Sequence, residues 1–333
     1  MSETNFTSPA RHPTTIGAFL DRAGMLLVLA LLFVGCSLFV ENFFSWANMR
    51  GLALAVSMTG MVSCTMLFCL AAGDFDLSVG SVVACAGVIA AVVMNRTASI
   101  AAGVGTAIAF GAAVGAFNGV VVAKLRINAL ITTLATMQIV RGLAFIASGG
   151  IAVGITRDGF FALGNSAFPA LPGTDIQGVP TPVWIMLACF LVFGLVLNRT
   201  VFGRDTLAVG GNAEAAHLAG IAVDRVKIVI FTVQGAMAAF AGVVLASRVT
   251  SGQPNTSQGF ELEVISACVL GGVSLTGGVG SMAFVIAGVL IMGIVQNAMS
   301  LLNVPTFYQY VARGSILLAA VLFDRWKRRK QID

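Results

Sequence analysis

The chain has 333 residues, of which 58% are hydrophobic and only 10% charged. A soluble domain carries about 25% charged residues, so composition excludes that class and indicates a membrane protein. The net charge of +5 would suit nucleic acid, but the basic residues sit at the ends of apolar runs and read as topology signals.

In chain order, residues 1–20 are polar, with Pro9 and Pro13, and read as a cytoplasmic tail. A first span is expected over 24–40; no small-residue cleavage signal follows it, which disfavours a cleaved signal peptide. An interfacial loop with Trp46 covers 41–50, and a second span covers 51–72. An acidic break with Asp74 and Asp76 precedes spans at 79–95, 98–123 and 128–148. Residues 149–181, rich in Gly and Pro, read as a structured external loop, and a sixth span covers 182–198. A seventh span is expected at 226–246. The apolar signal then runs from 261 to 302, too long for one crossing. It divides at its glycines into 262–275, short and read as re-entrant or broken, and 281–302. A tenth segment covers 307–323, followed by a basic tail. The expected fold is all-α: a polytopic bundle of about ten transmembrane helices, forming one domain over 21–330.

Charge sets the expected orientation. With both ends inside, the inner segments hold thirteen Lys and Arg residues and the outer ones four, Arg50, Arg96, Arg157 and Arg248. That asymmetry places both termini in the cytoplasm. Internal repetition is suggested by the likeness of 76–81 to 274–281 and by Arg141-Gly142 and Arg313-Gly314; chance in a Gly- and Val-rich chain explains it equally well.

The stretch 207–227 is the polar, small-residue interval between the sixth and seventh spans. Gly210 and Gly211 are expected to break the preceding segment, Asn212 to cap a short helix, and Glu214 to sit in its first turn. Ala215, Ala216, Leu218 and Ala219 continue that helix to Gly220. Ala215, Leu218 and Ala219 share a shallow face suited to another protein's groove; an ordinary interhelical loop is the plainer reading. Within spans, Gln138, Arg141, Gln234, Gln296, Asn297 and Arg313 are polar groups that should face the bundle interior or a water path. Interhelical hydrogen bonds account for the amides, whereas Arg141 and Arg313 are better candidates for a pathway or gate.

Absences narrow the function. There is no G-x-x-x-x-G-K-[ST] phosphate loop, so no ATPase on this chain, and no nucleophile–base arrangement. The six cysteines lie in apolar runs without C-x-x-C spacing, and the two histidines, His12 and His217, lie outside those runs. Neither a disulfide framework nor a metal site is expected. No Asp, Glu or His stands in mid-span, as proton coupling would require. Neutral polar chemistry suits a sugar better than an ion, with the driving force supplied from elsewhere.

Three stretches carry a resemblance that spans about residues 20–330. Gly73-Asp74-Phe75-Asp76-Leu77-Ser78-Val79-Gly80-Ser81 resembles the GGIDLSVGS pattern of bacterial sugar ABC importer permeases, with Asp74 and Phe75 departing from it. Asn128 to Met137, continued by Arg141-Gly142, resembles that family's PFI-TLGT and RG elements, with Ala129 and Leu130 in place of Pro and Phe. Gly210-Gly211-Asn212 with Ala215, Ala216, Gly220 and Ile221 resembles its cytoplasmic GGN motif. The resemblance is to the ribose, galactose, xylose and arabinose group. Overall similarity points to its arabinose members, and ribose, xylose or galactose stay open as cargo.

The resemblance implies an inner-membrane homodimer that is not itself an enzyme and holds no cofactor. ATP and Mg belong to a separate cytoplasmic ATPase, and a periplasmic binding protein delivers the sugar. It makes Gly211, Asn212, Glu214, Ala215, Ala216 and Gly220 the ATPase-coupling element. Asp74, Asp76, Gln138, Arg141, Gln296 and Arg313 stand as pathway or gate candidates. A stand-alone facilitator and a membrane receptor are the alternatives from other classes.

Overall fold

The computed structural model describes residues 15–168 and 178–332. Among them are thirteen helices and four two-residue strands. The helices are α1 (Thr15–Phe39), α2 (Trp46–Ala71), α3 (Val79–Thr97), α4 (Ile100–Ala123), α5 (Ala129–Ser148), α6 (Asp158–Asn165) and α7 (Thr181–Arg199). They continue as α8 (Val201–Gly211), α9 (Ala213–Leu218), α10 (Val223–Val249), α11 (Phe260–Leu270), α12 (Met282–Leu301) and α13 (Thr306–Ile332). Seven of these, α2 to α5, α7, α10 and α12, are long and apolar enough to cross a membrane. This is the multi-pass membrane class that composition indicates. The other three expected segments also fall on helices. However, α1 carries Asp21 and Arg22 before its Gly24–Phe39 apolar stretch, α11 has 11 residues, and α13 ends in a basic run.

Several boundaries differ from expectation for local reasons. The second span opens at Trp46, inside the expected interfacial loop, because Ser45 caps it: its hydroxyl accepts from Asn48 N at 3.2 Å. The segment 307–323 continues as helix to Ile332, since Lys and Arg are good helix formers and favourable at a C-terminus. The expected tail is helical from Thr15, and residues 1–14 lie outside the described residues. In the loop over 149–181, Val153–Gly154 pairs antiparallel with Ser251–Gly252, and Ala167–Phe168 with Val179–Pro180. Pro169, Pro172 and Gly173 of that loop fall outside the described residues.

The core is α10 laid along α4 and α3, with α2 at the centre against α7, α10, α11 and α12. Small residues make the α4–α10 contact possible. A Cβ on Gly111 would run into the carbonyl of Gly235, and one on Gly235 into that of Gly111. α1 packs on α12, and α13 on α11. Two non-helical stretches interrupt this packing. Residues 72–78 lead from α2 to α3, and residues 253–259 lead to the first turn of α11. The second stretch and α11 meet the first turn of α3 at Gly80, whose Cβ position abuts Ser257 O and the Glu261 carboxylate. The two motif pairs differ in setting: α4 separates α3 from α5, whereas α12 and α13 are consecutive.

Candidate functional site

The polar groups fall into three connected places. The first is the α8–α9 arm. Here Gly210 and Gly211 do not break the preceding segment, as expected, but close α8. Gly210 is needed for close approach, since a Cβ there would meet Ala71 O and Gly278 N. Gly278 N itself donates to Ala71 O at 2.9 Å, tying the end of α2 to the 271–281 turn. The break comes at Asn212, in extended conformation, whose side chain accepts from Ala215 N at 2.9 Å and so caps α9 as expected. Glu214 stands in the first turn. Gly220, at φ +89°, ends the arm in a backbone conformation that favours glycine. The exposed face holds Ala215, Ala219 and Leu218, which is 83% exposed. Ala216 is instead buried against the bundle, and its N–H donates to Asn212 O at 2.9 Å.

The second place starts on α10, nine residues beyond the end of α9. Lys227 on α10 lies 2.8 Å from Asp74 in the 72–78 stretch. Burial pushes the Asp74 carboxyl above its ordinary range, and Lys227 pulls it back only in part. Two residues on, Asp76 Oδ1 accepts from both Ser78 N at 2.9 Å and Ser78 Oγ at 2.6 Å. Ser78 Oγ accepts from Asn118 Nδ2 at 3.2 Å, and Asn118 Oδ1 accepts from Thr136 Oγ1 at 2.7 Å. A continuous polar chain therefore links the start of α3 to α4 and α5. α5 also carries Arg141, whose Nη1 donates to the carbonyls of Pro254 at 2.8 Å and Thr256 at 2.7 Å. Those bonds fasten the 253–259 stretch to α5. Gln138 lies on the exposed face of α5, one turn before Arg141.

The third place joins α2, α11, α12 and α13. Glu263 accepts from Thr59 Oγ1 at 2.6 Å and lies 3.5 Å from Arg313 Nη1. The Arg313 guanidinium also sits 5.6 Å from the Tyr310 ring centroid. Beside this pair is a cavity of about 170 Å³, lined among others by Thr59, Glu263, Gln296, Asn297 and Gln309. The Gln296 Nε2 and Arg313 Nε atoms are buried and have no hydrogen-bond partner. Asn297 exchanges two amide hydrogen bonds with Asn48, at 2.8 and 2.9 Å, so it joins α12 to α2.

The twelve expected site residues are thus distributed and do not form one cluster. Gly211 to Gly220 form the arm. Asp74 and Asp76 share the stretch next to it, and Gln138 with Arg141 lies on α5. Gln296 and Arg313 belong to the α12–α13 region. Lys227 and Glu263 do more than their positions at span ends suggest, and Asn118 and Thr136 are unmarked by any motif. The available signal for Asn118 is that it is the one amide in the 24 residues of α4. Among the described residues, no group of His, Cys, Asp and Glu could hold a metal ion.

Comparison with known proteins adds the missing context. Residues 48–321 match the family described as branched-chain amino acid transport system / permease component. The chain is 59% identical over 326 residues to the L-arabinose transport system permease protein AraH of Escherichia coli K12, covering 98% of this chain and 97% of that one. It is 51% identical over 324 residues to the L-arabinose ABC transporter permease protein AraH of Azospirillum brasilense, covering 97% and 93%. Against the ribose import permease protein RbsC of Escherichia coli K12 the identity is 36% over 317 residues, covering 93% and 96%. No solved structure matches the chain.

Proposed function

The chain belongs to the branched-chain amino acid transport system / permease component family, and from that premise we propose that it is the membrane subunit of an ATP-driven importer of L-arabinose. The observation that carries the cargo is the 59% identity, over nearly the whole of both chains, to an L-arabinose permease; the 36% identity to a ribose permease is far lower. The chain itself performs no catalysis. A cytoplasmic ATPase binds ATP and Mg, a periplasmic binding protein delivers sugar, and two copies of this chain form the pore in the bacterial inner membrane.

The α8–α9 arm is the coupling element. Its exposed Ala215–Leu218–Ala219 face is free to enter a groove on the ATPase, and its buried Ala216 holds it to the bundle. Both termini then lie on the cytoplasmic side, in keeping with the thirteen-to-four distribution of basic residues. α1, α11 and α13 complete a bundle of ten membrane-embedded segments within the single domain 21–330, with α11 as the short one. Gln138 favours the placing of the pore. An amide on the outward face of a span is costly against lipid, so that face of α5 turns toward the second copy and lines the path. Closure of the ATPase pair moves the two arms together. Arg141, Asp74 and Asp76 carry the motion between α10, the 72–78 and 253–259 stretches and α5, while Gln296 and Arg313 shape the second polar region.

The test is uptake of labelled L-arabinose into proteoliposomes holding this chain, the ATPase and the binding protein. Uptake should need ATP and both partners, and Ala216→Pro should abolish it while leaving membrane insertion intact. Uptake by this chain alone would make it a facilitator and overturn the proposal.

A further inference from the structure

A second cavity, of about 210 Å³, lies between α2, α7, α8 and α10. Its walls include Phe68, Phe193, Val196, Phe202, Val229 and Val233, and they present only apolar surface. The Phe68 ring packs against Phe193 with centroids 6.1 Å apart and against Phe202 at 5.9 Å, which fixes the floor of the groove. Val229, 44% exposed, stands at the edge, so the groove is open along α10.

Three of its four walls are helices that cross the membrane. An open apolar groove on that surface meets hydrocarbon chains and not water. Left empty, its lining would forfeit dispersion contacts on one side. A hydrocarbon chain is therefore the occupant its chemistry selects.

The rim identifies the rest of the molecule. Arg199 follows Val196 by three residues on α7, and Arg225 precedes Val229 by four on α10. At those spacings each arginine lies on its helix's groove-side face, one turn nearer the end of the bundle. Both are exposed, and neither is in an ion pair among the described residues. Asp224 is one residue back from Arg225 and is turned about 100° around the helix from it. Asp205 and Arg204, on α8, adjoin each other in sequence; Glu214 on α9 and the mutually paired Asp74 and Lys227 also lie at this end. Basic residues between spans above an apolar slot are the arrangement that holds an anionic lipid headgroup.

We propose that this groove is a seat for one anionic phospholipid, its acyl chain on the phenylalanine floor and its phosphate between Arg199 and Arg225. Because Phe202 belongs to α8, the lipid forms part of the bed on which the α8–α9 arm rests. Occupancy holds the arm in place, and its loss frees the arm.

The test uses the full chain, purified and delipidated in a neutral detergent, and follows its thermal midpoint. Phosphatidylglycerol, phosphatidylcholine and inorganic phosphate are added separately. Phosphatidylglycerol should raise the midpoint by about 5 °C at saturation, with little effect from the other two. Arg199→Gln/Arg225→Gln should remove that rise, as should Val229→Phe, which fills the groove. Native mass spectrometry should show one phosphatidylglycerol retained by the unaltered chain and none by the double variant. Equal shifts from both lipids, an equal shift from phosphate alone, or a full response in the double variant would overturn the proposal. If Val229→Phe fails to fold, the arginine variant and the retained-lipid measurement decide it.

Discussion

Replacing Lys227 by Met tests the ion pair that joins the start of α10 to the stretch before α3. Asp74 and Lys227 are 2.8 Å apart, with side chains only 10% and 19% exposed. Removing one partner of a buried pair costs about 3–5 kcal/mol, because the remaining charge is left uncompensated. Burial already outweighs Lys227 in setting the Asp74 carboxyl, so in the variant that carboxyl takes up a proton more readily, and the loss falls near the lower end, about 3 kcal/mol. For a chain of this size that is a fall of about 4 °C in the thermal midpoint, followed in detergent by intrinsic fluorescence.

The pH dependence has a definite sign. A carboxyl raised in the folded state binds its proton more tightly there than in the unfolded chain. The destabilisation it causes is absent below the ordinary carboxylate value of 3.8. It grows as pH rises toward the folded-state value and is constant above that. The deficit of Lys227→Met should therefore shrink as pH is lowered from 7 toward 4. Asp74→Asn/Lys227→Met should recover part of the loss, with a coupling of about 2 kcal/mol in the double-mutant cycle. A Lys227→Met midpoint within 1 °C of the parent, against the fall expected from breaking a buried pair, or strict additivity in the cycle, would refute the reasoning.

Asn212→Ala removes the cap of α9 and should cost about 1 kcal/mol locally; ATP-dependent uptake should fall, and Asn212→Ser should restore it. Arg141→Leu deletes two charge-assisted bonds to the 253–259 stretch, worth roughly 1.5–3 kcal/mol each. Amide exchange at 253–260 should then accelerate while that of α4 and α10 stays slow. Gly111→Val should prevent the α4–α10 contact outright, since even a Cβ meets the Gly235 carbonyl, and the variant should be recovered at much reduced yield. Thr136→Val leaves Asn118 Oδ1 without its donor at a fully buried site and should cost about 1–3 kcal/mol of stability; Thr136→Ser should cost much less.

Apolar periods and basic flanks made most of the fold legible. Seven of the expected segments fall on helices long and apolar enough to cross a membrane, because an apolar run of that length has few other fates in lipid. What local sequence left open was set by tertiary contact. The dipeptide Gly210-Gly211 reads as a break, yet it is helical, because the absence of a side chain at 210 lets α8 rest on Ala71 and Gly278. Conversely, Asn212, Glu214 and Gly220 announced the short helix, since capping is a local event. The buried side of α9 was harder. Ala215 and Ala216 are indistinguishable by propensity, and only the packing of the arm shows which one faces inward. Arg141 and Arg313 were identified as costly groups, but their partners lie 113 and 50 residues away in sequence. One partner is a pair of backbone carbonyls, and a carbonyl leaves no trace in a sequence.

α11 has a consequence for how the chain is made. Its 11 residues rise about 16 Å, and its first turn carries Glu261 and Glu263, which disfavour transfer from the translocation channel into lipid. On its own the segment is not a substrate for membrane insertion. Its surroundings in the finished protein, Thr59 and Arg313 around Glu263 and the glycine contact of Gly288 against Ala267, come from α2, α12 and α13. Two of those helices are synthesised after it. Biogenesis therefore ends with α11 still to be seated when the last helix emerges, and quality control has a late intermediate to act on. Nascent chains truncated before α12 would expose that intermediate to proteases.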